Sequence, residues 1–402
     1  MPSDDAARIL VTSARMPFAV DEIHKLGDEK GHHLIATDTF RETPGGHSKG
    51  VDELILTAPP TQQPDRFVDD VIAILNSERI DWLLPMFEEV FYLAAQRARI
   101  EAAAPHTTLF FPELEKLLLV NDKTRFADLC RSLGLPVAET VVCTTREQWV
   151  EATQRWENWF ARAALGRGGL DVVTNTGPLA GETPVDAVTP TAAEPWLVQE
   201  YLRGTDRCSF SVVHDGEVVL HSCYEHPLTI DDRGGIVFES VDTDASLAAV
   251  QKIAAELDWT GQISMDYLVA DDGTHYMVEC NPRPTAGCSV ATADELDTAL
   301  FRPDGLVTVP PGRKKMIKAA VLRDALKNPR RVREIRAAAK GAGSVYVQDG
   351  DVMPLIYSAL SLRHVLAYRK AAGKERSREQ LVAAQFFDIL YDGSDLTAGP
   401  SA

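Results

Sequence analysis

Two Asp-Gly pairs constrain this chain more than any other feature. Asp215-Gly216 separates the alternating runs Ser209–Val213 and Glu217–Leu220, and Asp272-Gly273 separates Gln262–Val269 from His275–Asn281. Asp-Gly tolerates the positive φ of a tight turn, so each pair predicts a β-hairpin and an antiparallel middle to the chain. A hairpin's turn sets its register. With Asp272 and Gly273 central, Asp266 lies directly opposite Glu279. Strand side chains alternate, so Asn281 shares a face with Glu279. Opposed carboxylates repel. With an amide oxygen beside them they form a hard-oxygen ligand set that suits magnesium. A solvated acidic face is the other reading of the same residues. Arg283 would extend the row, but Pro282 and Pro284 turn the chain out of the strand.

The segment before residue 121 has a different rhythm. Short apolar runs at Arg8–Thr12, His32–Ala36, Glu53–Thr57 and Trp82–Pro85 alternate with helical patterns at Phe18–Lys30, Phe67–Asn76 and Leu93–Ala102. That alternation predicts a parallel sheet covered by helices, with ligands beyond the strand C-termini. Ser13, Ala14 and Arg15 stand at one such end, and Phe87, Glu88 and Glu89 at another. The first strand is followed by Thr-Ser-Ala-Arg-Met-Pro, which lacks the G-x-G-x-x-G turn of nicotinamide-binding folds. Gly45-Gly-His-Ser-Lys-Gly50 lacks Walker spacing and reads as a flexible glycine-rich loop.

Composition narrows the function classes. Asp and Glu outnumber Lys and Arg by 59 to 41, a formal charge of −18 over 402 residues. A general nucleic-acid binder, which must neutralise phosphates, is not expected. No run reaches the roughly 20 apolar residues of a membrane span. The acidic start, Met-Pro-Ser-Asp-Asp, is unlike a secretory signal. The 6 cysteines are scattered without a C-x-x-C pair, so neither a disulfide framework nor a zinc site is expected, and a reducing cytoplasm is the simplest setting.

A magnesium site with few protein ligands takes the rest of its shell from phosphates and water, so cations aimed at phosphates should occur elsewhere. Lys123 opens a helix after Val120-Asn-Asp, where free N–H groups and an ammonium could meet an anion. Arg162 precedes the run Gly166-Arg-Gly-Gly169, whose glycines allow close backbone approach and lid-like flexing. Further on, Arg313–Lys340 is basic and reads as a solvated face, and Phe386–Tyr391 is apolar enough to dock on the body.

In order, Asn121-Asp-Lys-Thr, Phe160-Ala-Arg-Ala-Ala-Leu-Gly-Arg-Gly-Gly-Leu-Asp171, Val198-Gln-Glu-Tyr-Leu-Arg-Gly-Thr-Asp206, Ser264-Met-Asp266 and Val278-Glu-Cys-Asn-Pro-Arg283 resemble the ATP-grasp superfamily. The pattern is most similar to the carbamoyl phosphate synthetase large chain and the small-molecule carboxylate–amine ligases, over roughly residues 5 to 290. The resemblance implies an α/β plus α+β fold: a parallel-sheet front domain over 1–120, a two-lobed ATP-grasp domain over 121–300 with its lid about 140–200, and an α-rich C-terminal extension over 301–402. It implies that Lys123 and Arg162 hold ATP phosphates. The second position is usually Lys, and Arg there resembles the carbamoyl-synthetase branch. Gly166, Gly168 and Gly169 would close over the β- and γ-phosphates. Glu200, Tyr201 and Leu202 would meet the adenine edge through backbone groups. Asp206 stands where Glu usually holds the ribose hydroxyls. Asp266, Glu279 and Asn281 would hold magnesium, with manganese able to take its place, and Arg283 would meet the transferring phosphoryl group or the substrate carboxylate.

The implied activity is an ATP-dependent ligase that activates a small carboxylic acid as an acyl phosphate for attack by an amine, releasing ADP and phosphate. An ATP-grasp kinase or carboxylase with another acceptor, or an inactive nucleotide-binding regulator, are the alternatives. The partners are the acid and the amine, with neither nucleic acid nor membrane, and a homodimer is left open. Geometry nominates Ser13, Arg15, Glu88, Glu89 and His226 as substrate residues. Glu88 and Glu89 could recognise an amine or serve as helix-dipole partners.

Overall fold

The computed structural model describes residues 6–165, 172–230, 234–371, 386–391 and 393–396. The front of the chain runs β1 (Arg8–Val11), α1 (Pro17–Ile23), β2 (His33–Asp38), β3 (Glu53–Leu56), α2 (Pro64–Ser77), β4 (Trp82–Leu84), α3 (Glu89–Ala95), α4 (Arg97–Ala103) and β5 (Thr108–Leu109). The strands form a parallel sheet ordered β3-β2-β1-β4-β5. Ile9, Leu10 and Val11 are fully buried, because helices cover both faces of the sheet. Strand order reverses between β1 and β4, which opens a crevice beyond their C-terminal ends. Ser13 follows β1 at that crevice, and Glu89 follows β4.

Three local expectations change. The helix expected over Phe18–Lys30 is α1 followed by a π-helical stretch, His24–Glu29. There the Lys30 N–H reaches back to the Lys25 carbonyl at 3.1 Å, and Gly27 lies so close to Gly50 that a Cβ would sit 1.9 Å from its carbonyl oxygen. The helix expected over Leu93–Ala102 starts earlier, at Glu89, and breaks at Gln96, whose φ of −112° and ψ of 17° are not helical. The Gly45–Gly50 loop is packed rather than flexible. It makes a short 3-10 turn, and Gly45 N–H donates to the Ala14 carbonyl at 2.9 Å.

Next come α5 (Leu114–Asn121), α6 (Lys123–Ser132), β6 (Thr140–Cys143), α7 (Arg146–Ala152), β7 (Trp159–Ala163), β8 (Val172–Thr174) and β9 (Trp196–Glu200). The four strands form an antiparallel sheet ordered β6-β9-β7-β8, packed on Trp149 and Trp159. Gly166, Gly168 and Gly169, between β7 and β8, lie outside the described residues.

The central sheet is built from β10 (Gly204–His214), β11 (Glu217–Ile230), β12 (Gly234–Val241), β13 (Gly261–Ala270) and β14 (His275–Asn281), with α8 (Asp244–Glu256) and α9 (Ala293–Phe301) packed beside it. β10 and β11 outrun the alternating segments that signalled them, because pairing to β13 and β12 carries them through polar residues. Beyond residue 301 the chain adds β15 (Val307–Thr308), β16 (Lys314–Met316) and β17 (Gly343–Ser344) to this sheet, giving the order β14-β13-β10-β11-β12-β16-β17 with β15 beside β11. The remaining elements there are α10 (Lys318–Lys327), α11 (Val332–Ala338), α12 (Met353–Leu360) and α13 (Leu362–Ala371). Arg330, Arg333 and Arg336 are exposed, as a solvated basic face requires.

The apolar 386–391 segment packs over the crevice of the front sheet. Phe386 lies 5.0 Å from Phe87 and Tyr391 4.5 Å from Phe91, centroid to centroid. Among the described residues, no helix is long and apolar enough to cross a membrane.

Candidate active site

The turn at the end of β13 is one residue wider than Asp272-Gly273 suggests. The Ala270 N–H donates to the Thr274 carbonyl at 2.9 Å, and Val269 faces His275. In that register Asp266 would face Val278. A β-bulge at Val278 adds the missing residue, so that Asp266 faces Glu279, Met265 faces Cys280 and Ser264 faces Asn281. The expected opposition of carboxylates therefore holds through two departures that cancel. Bulges re-aim side chains in this way beside functional sites.

The bulged strand is held from the neighbouring sheet. Arg162, on β7, donates from Nη2 to the Val278 carbonyl at 2.8 Å, and its Nη1 lies 3.7 Å from Glu279 Oε2. Lys123 Nζ approaches the same Oε2 at 3.4 Å. Lys123 is the first residue of α6, which is capped by Asp122 accepting from the Thr124 and Arg125 N–H groups at 2.8 and 3.2 Å. Residues more than 100 positions apart thus converge on one carboxylate. Both cations are buried, and Arg162 Nε has no hydrogen-bond partner among the described residues.

The electrostatics follow from this packing. Burial pushes the Glu279 carboxyl up, but Lys123 and then Arg162 pull harder and hold it below the usual range. Asp266 is pushed up by burial and then by the charge of Glu279. A divalent cation between them would remove that repulsion and free Lys123 and Arg162 for phosphate oxygens. Arg162 Nε, unpartnered among the described residues, and the oxygen set of Asp266, Glu279 and Asn281 fit magnesium and a polyphosphate.

Arg283 lies at the open end of this row. Its Nη2 donates to Asn281 Oδ1 at 3.2 Å, and its guanidinium stacks 4.6 Å from the Phe87 ring and 5.8 Å from that of Phe18. A relay of hydroxyls fixes the turn that carries it. Tyr224 and Thr285 share a hydrogen bond of 3.0 Å, Thr285 donates to Ser264 at 3.0 Å, and Ser264 donates to the Arg283 carbonyl at 2.9 Å. Cys208 pairs with Asp266 across β10 and β13. The sequence reading missed Cys208, Tyr224, Ser264 and Thr285. Ser264 carried a signal, standing two residues before Asp266 on the same face. The others depend on strand pairings that no local pattern encodes.

The remaining candidates are placed as follows. Glu200 ends β9, and Tyr201 and Leu202 lie in the connection to β10. The Glu200 N–H is bonded to Glu139 and the Tyr201 N–H to Asn158, at 3.2 and 3.1 Å. Asp206 lies two residues from Cys208 on β10, on the face that carries Asp266. His226 packs edge-on against Tyr224 and Phe238, and burial pushes it down to about 4. Arg15 is buried between Asp38 and Asp388, bonded to the latter at 2.7 Å. Burial works against its charge, but the two carboxylates hold it ionised. Glu88 Oε2 accepts from the Tyr391 N–H at 2.9 Å. Glu89 Oε1 accepts from the N–H groups of Met86 and Phe87 at 3.0 and 3.1 Å and from the Thr12 hydroxyl.

A parallel-sheet front, a separate antiparallel sheet bearing Arg162 and a central sheet bearing opposed carboxylates define the ATP-grasp fold. No family model matches the chain. In sequence it is similar to the carbamoyl phosphate synthase large chain of Clostridium acetobutylicum, 23% identical over 233 residues, which are 54% of this chain and 21% of that protein. It is also similar to the C-terminal section of the large chain of Methanocaldococcus jannaschii, 26% identical over 183 residues, 42% of this chain and 29% of that one. The chain spans less than a third of the length of these curated relatives. Among solved structures it resembles the ADP complex of PurK, a carboxyaminoimidazole ribonucleotide synthetase, with a TM-score of 0.61 and 14% identity over 82% of this chain and 86% of that one. It also resembles the biotin carboxylase of Campylobacter jejuni, solved with beta-gamma-ATP, with a TM-score of 0.55 and 16% identity over 75% of this chain and 72% of the other.

Proposed function

We propose that this chain is an ATP-dependent ligase that joins a small carboxylic acid to an amine through an acyl phosphate. The observation that carries this reading is the convergence of Lys123 and Arg162 on Glu279, at 3.4 and 3.7 Å, directly opposite Asp266. A carboxylate does not react with amines at neutral pH, and transfer of a phosphoryl group to its oxygen supplies a leaving group. The protein's work is then to position and neutralise charge. Lys123 and Arg162 hold the terminal phosphates of ATP. Asp266, Glu279 and Asn281 hold magnesium, which when bound neutralises phosphate charge and screens the two carboxylates from each other. Arg283, backed by Phe87 and Phe18, meets the transferring phosphoryl group or the acid. Glu200, Tyr201 and Leu202 would meet the adenine edge, and Asp206 the ribose hydroxyls. All 6 cysteines are free and buried, which supports a reducing compartment such as the cytoplasm.

The test is ADP release with pools of small acids, bicarbonate included, and amines. The active acid is then labelled with heavy oxygen in its carboxylate. An acyl phosphate must deliver one labelled oxygen to inorganic phosphate. AMP as the stoichiometric product, or phosphate without label, overturns the mechanism. Phosphate retained on the product identifies a kinase.

A further inference from the structure

The π-helical stretch His24–Glu29 brings together two side chains that an α-helix would separate. Residues five apart in an α-helix diverge by about 140° around its axis. The wider π turn returns them to one side, and His24 Nε2 lies 3.5 Å from Glu29 Oε1. Asp349 reaches the same nitrogen from the far end of the chain, its Oδ2 at 3.1 Å. A His24 nitrogen and one oxygen each of Glu29 and Asp349 lie within 4.8 Å of one another. On the other edge of the ring, Asp28 Oδ2 is 3.4 Å from Nδ1, which makes no hydrogen bond among the described residues. His24 itself is only 2% exposed.

The loop that delivers Asp349 is fixed on both sides of it. Gln348 Nε2 donates to Asp21 Oδ1 at 3.0 Å, and the Lys49 N–H donates to Asp351 Oδ2 at 2.8 Å. Asp349 is held between them at a φ of 45°. Its place over His24 therefore follows from how the loop docks on the front of the chain. Asp28, Glu29 and Asp349 surround one imidazole, and no described lysine or arginine pairs with any of them. A protonated ring balances a single charge, whereas a divalent cation balances two. Two ligand atoms about 2.1 Å from one zinc ion stand about 3.0–3.4 Å apart, close to the separations that His24 Nε2 keeps from Asp349 and Glu29. An imidazole among the ligands favours a zinc-like ion over magnesium or calcium, which prefer oxygen throughout. We propose that His24 Nε2, Glu29 and Asp349 form a zinc site that fastens the Asp349 loop to the π-helical end of α1, with water completing the shell. The ion takes the place of the proton shared by Nε2 and Asp349. Nδ1 then carries the ring proton and turns it to Asp28, an outer carboxylate of the kind that orients zinc-bound histidines. The site shares no residue with the candidate active site and does not depend on the ligase reading.

The experiment uses the full chain, stripped with EDTA and desalted, with Zn2+ and Co2+ as probes in excess magnesium. The wild type should bind one equivalent of Zn2+, with a rise in melting temperature of about 2–5 °C. Co2+ should give the visible band of a low-coordinate, imidazole-ligated ion, and Zn2+ should remove it. Glu29→Gln and Asp349→Asn change exposed side chains, so both variants should fold. Each should weaken zinc binding at least about 10-fold and lose the Co2+ band. Hydrogen exchange in the 348–351 loop should slow with zinc in the wild type and not in Asp349→Asn. Glu279→Gln should bind zinc as the wild type does. No stoichiometric zinc in the wild type, or undiminished affinity in either Glu29→Gln or Asp349→Asn, overturns the proposal. So does zinc binding that only Glu279→Gln removes, which would place the ion at the candidate active site.

Discussion

Arg162 Nη2 donates to the Val278 carbonyl at 2.8 Å while its Nη1 lies 3.7 Å from Glu279, so β7 clasps the bulge that brings Glu279 opposite Asp266. One guanidinium does both tasks because its fork spans the carbonyl and the carboxylate together. Lysine keeps the charge but has a single point of attachment. Arg162→Lys should fold, retain measurable MgATP binding and lose about 10- to 100-fold in turnover through a misplaced carboxylate. ADP release and nucleotide titration check this. Turnover at the wild-type rate would show that the clasp plays no part.

Glu279→Gln separates metal from nucleotide. It removes the charge that Lys123 and Arg162 share, and both are buried. Turnover should fall by at least about 100-fold, because the proposed magnesium site loses a ligand. The ligand-free protein should lose about 2 kcal/mol of stability, because two cations are left facing each other. ATP without magnesium should stabilise the variant more than it stabilises the wild type, since its phosphates replace the missing carboxylate. Wild-type turnover in a folded variant would exclude Glu279 as a ligand.

Asp388→Asn tests how the 386–391 segment is held. Arg15 is buried between Asp38 and Asp388, and Tyr368 donates to Asp388 at 2.9 Å. Removing one carboxylate from a buried arginine should cost about 2–3 kcal/mol. Limited proteolysis should then cut the C-terminal segment before the front sheet unfolds. Resistance equal to that of the wild type would show that aromatic packing on Phe87 and Phe91 suffices.

A pH effect on stability follows from Glu22, which lies buried on α1 with its Oε2 accepting from Gln262 Nε2 at 3.2 Å. Burial pushes its carboxyl up to about 8. In the unfolded chain the group titrates near about 4.3. Between those values the unfolded state has released its proton and the folded state has not, so stability falls as pH rises from about 4.5 to about 8 and then levels. Glu22→Gln removes the titration. Its denaturation midpoint should be flatter over that window, and it should be more stable than the wild type at pH 8, by about a few kcal/mol at most. Parallel profiles for the two proteins would show that Glu22 is ionised in the fold.

Much of the site was legible because its parts are local. Lys123 opens a helix as its sequence context implies, but the N–H groups expected to be free there are taken, those of Thr124 and Arg125 by Asp122 and that of Lys123 by the Ala164 carbonyl. Asp266, Glu279 and Asn281 share a face because strand side chains alternate, and an Asp-Gly turn sets their opposition to within one residue. The alternation of apolar runs with helical patterns determines a parallel sheet whose strand ends carry Ser13 and Glu89. All of these depend on residues close in the chain, where turn chemistry and side-chain periodicity act directly. The tertiary structure alone decided the bulge at Val278, because it depends on Arg162 arriving from another sheet. It likewise decided the pairing of Cys208 with Asp266 and the union of Arg15 with Asp388, which are 373 positions apart. Such contacts form only when several elements bury their apolar faces at once, and no neighbouring residue records which partner that burial selects.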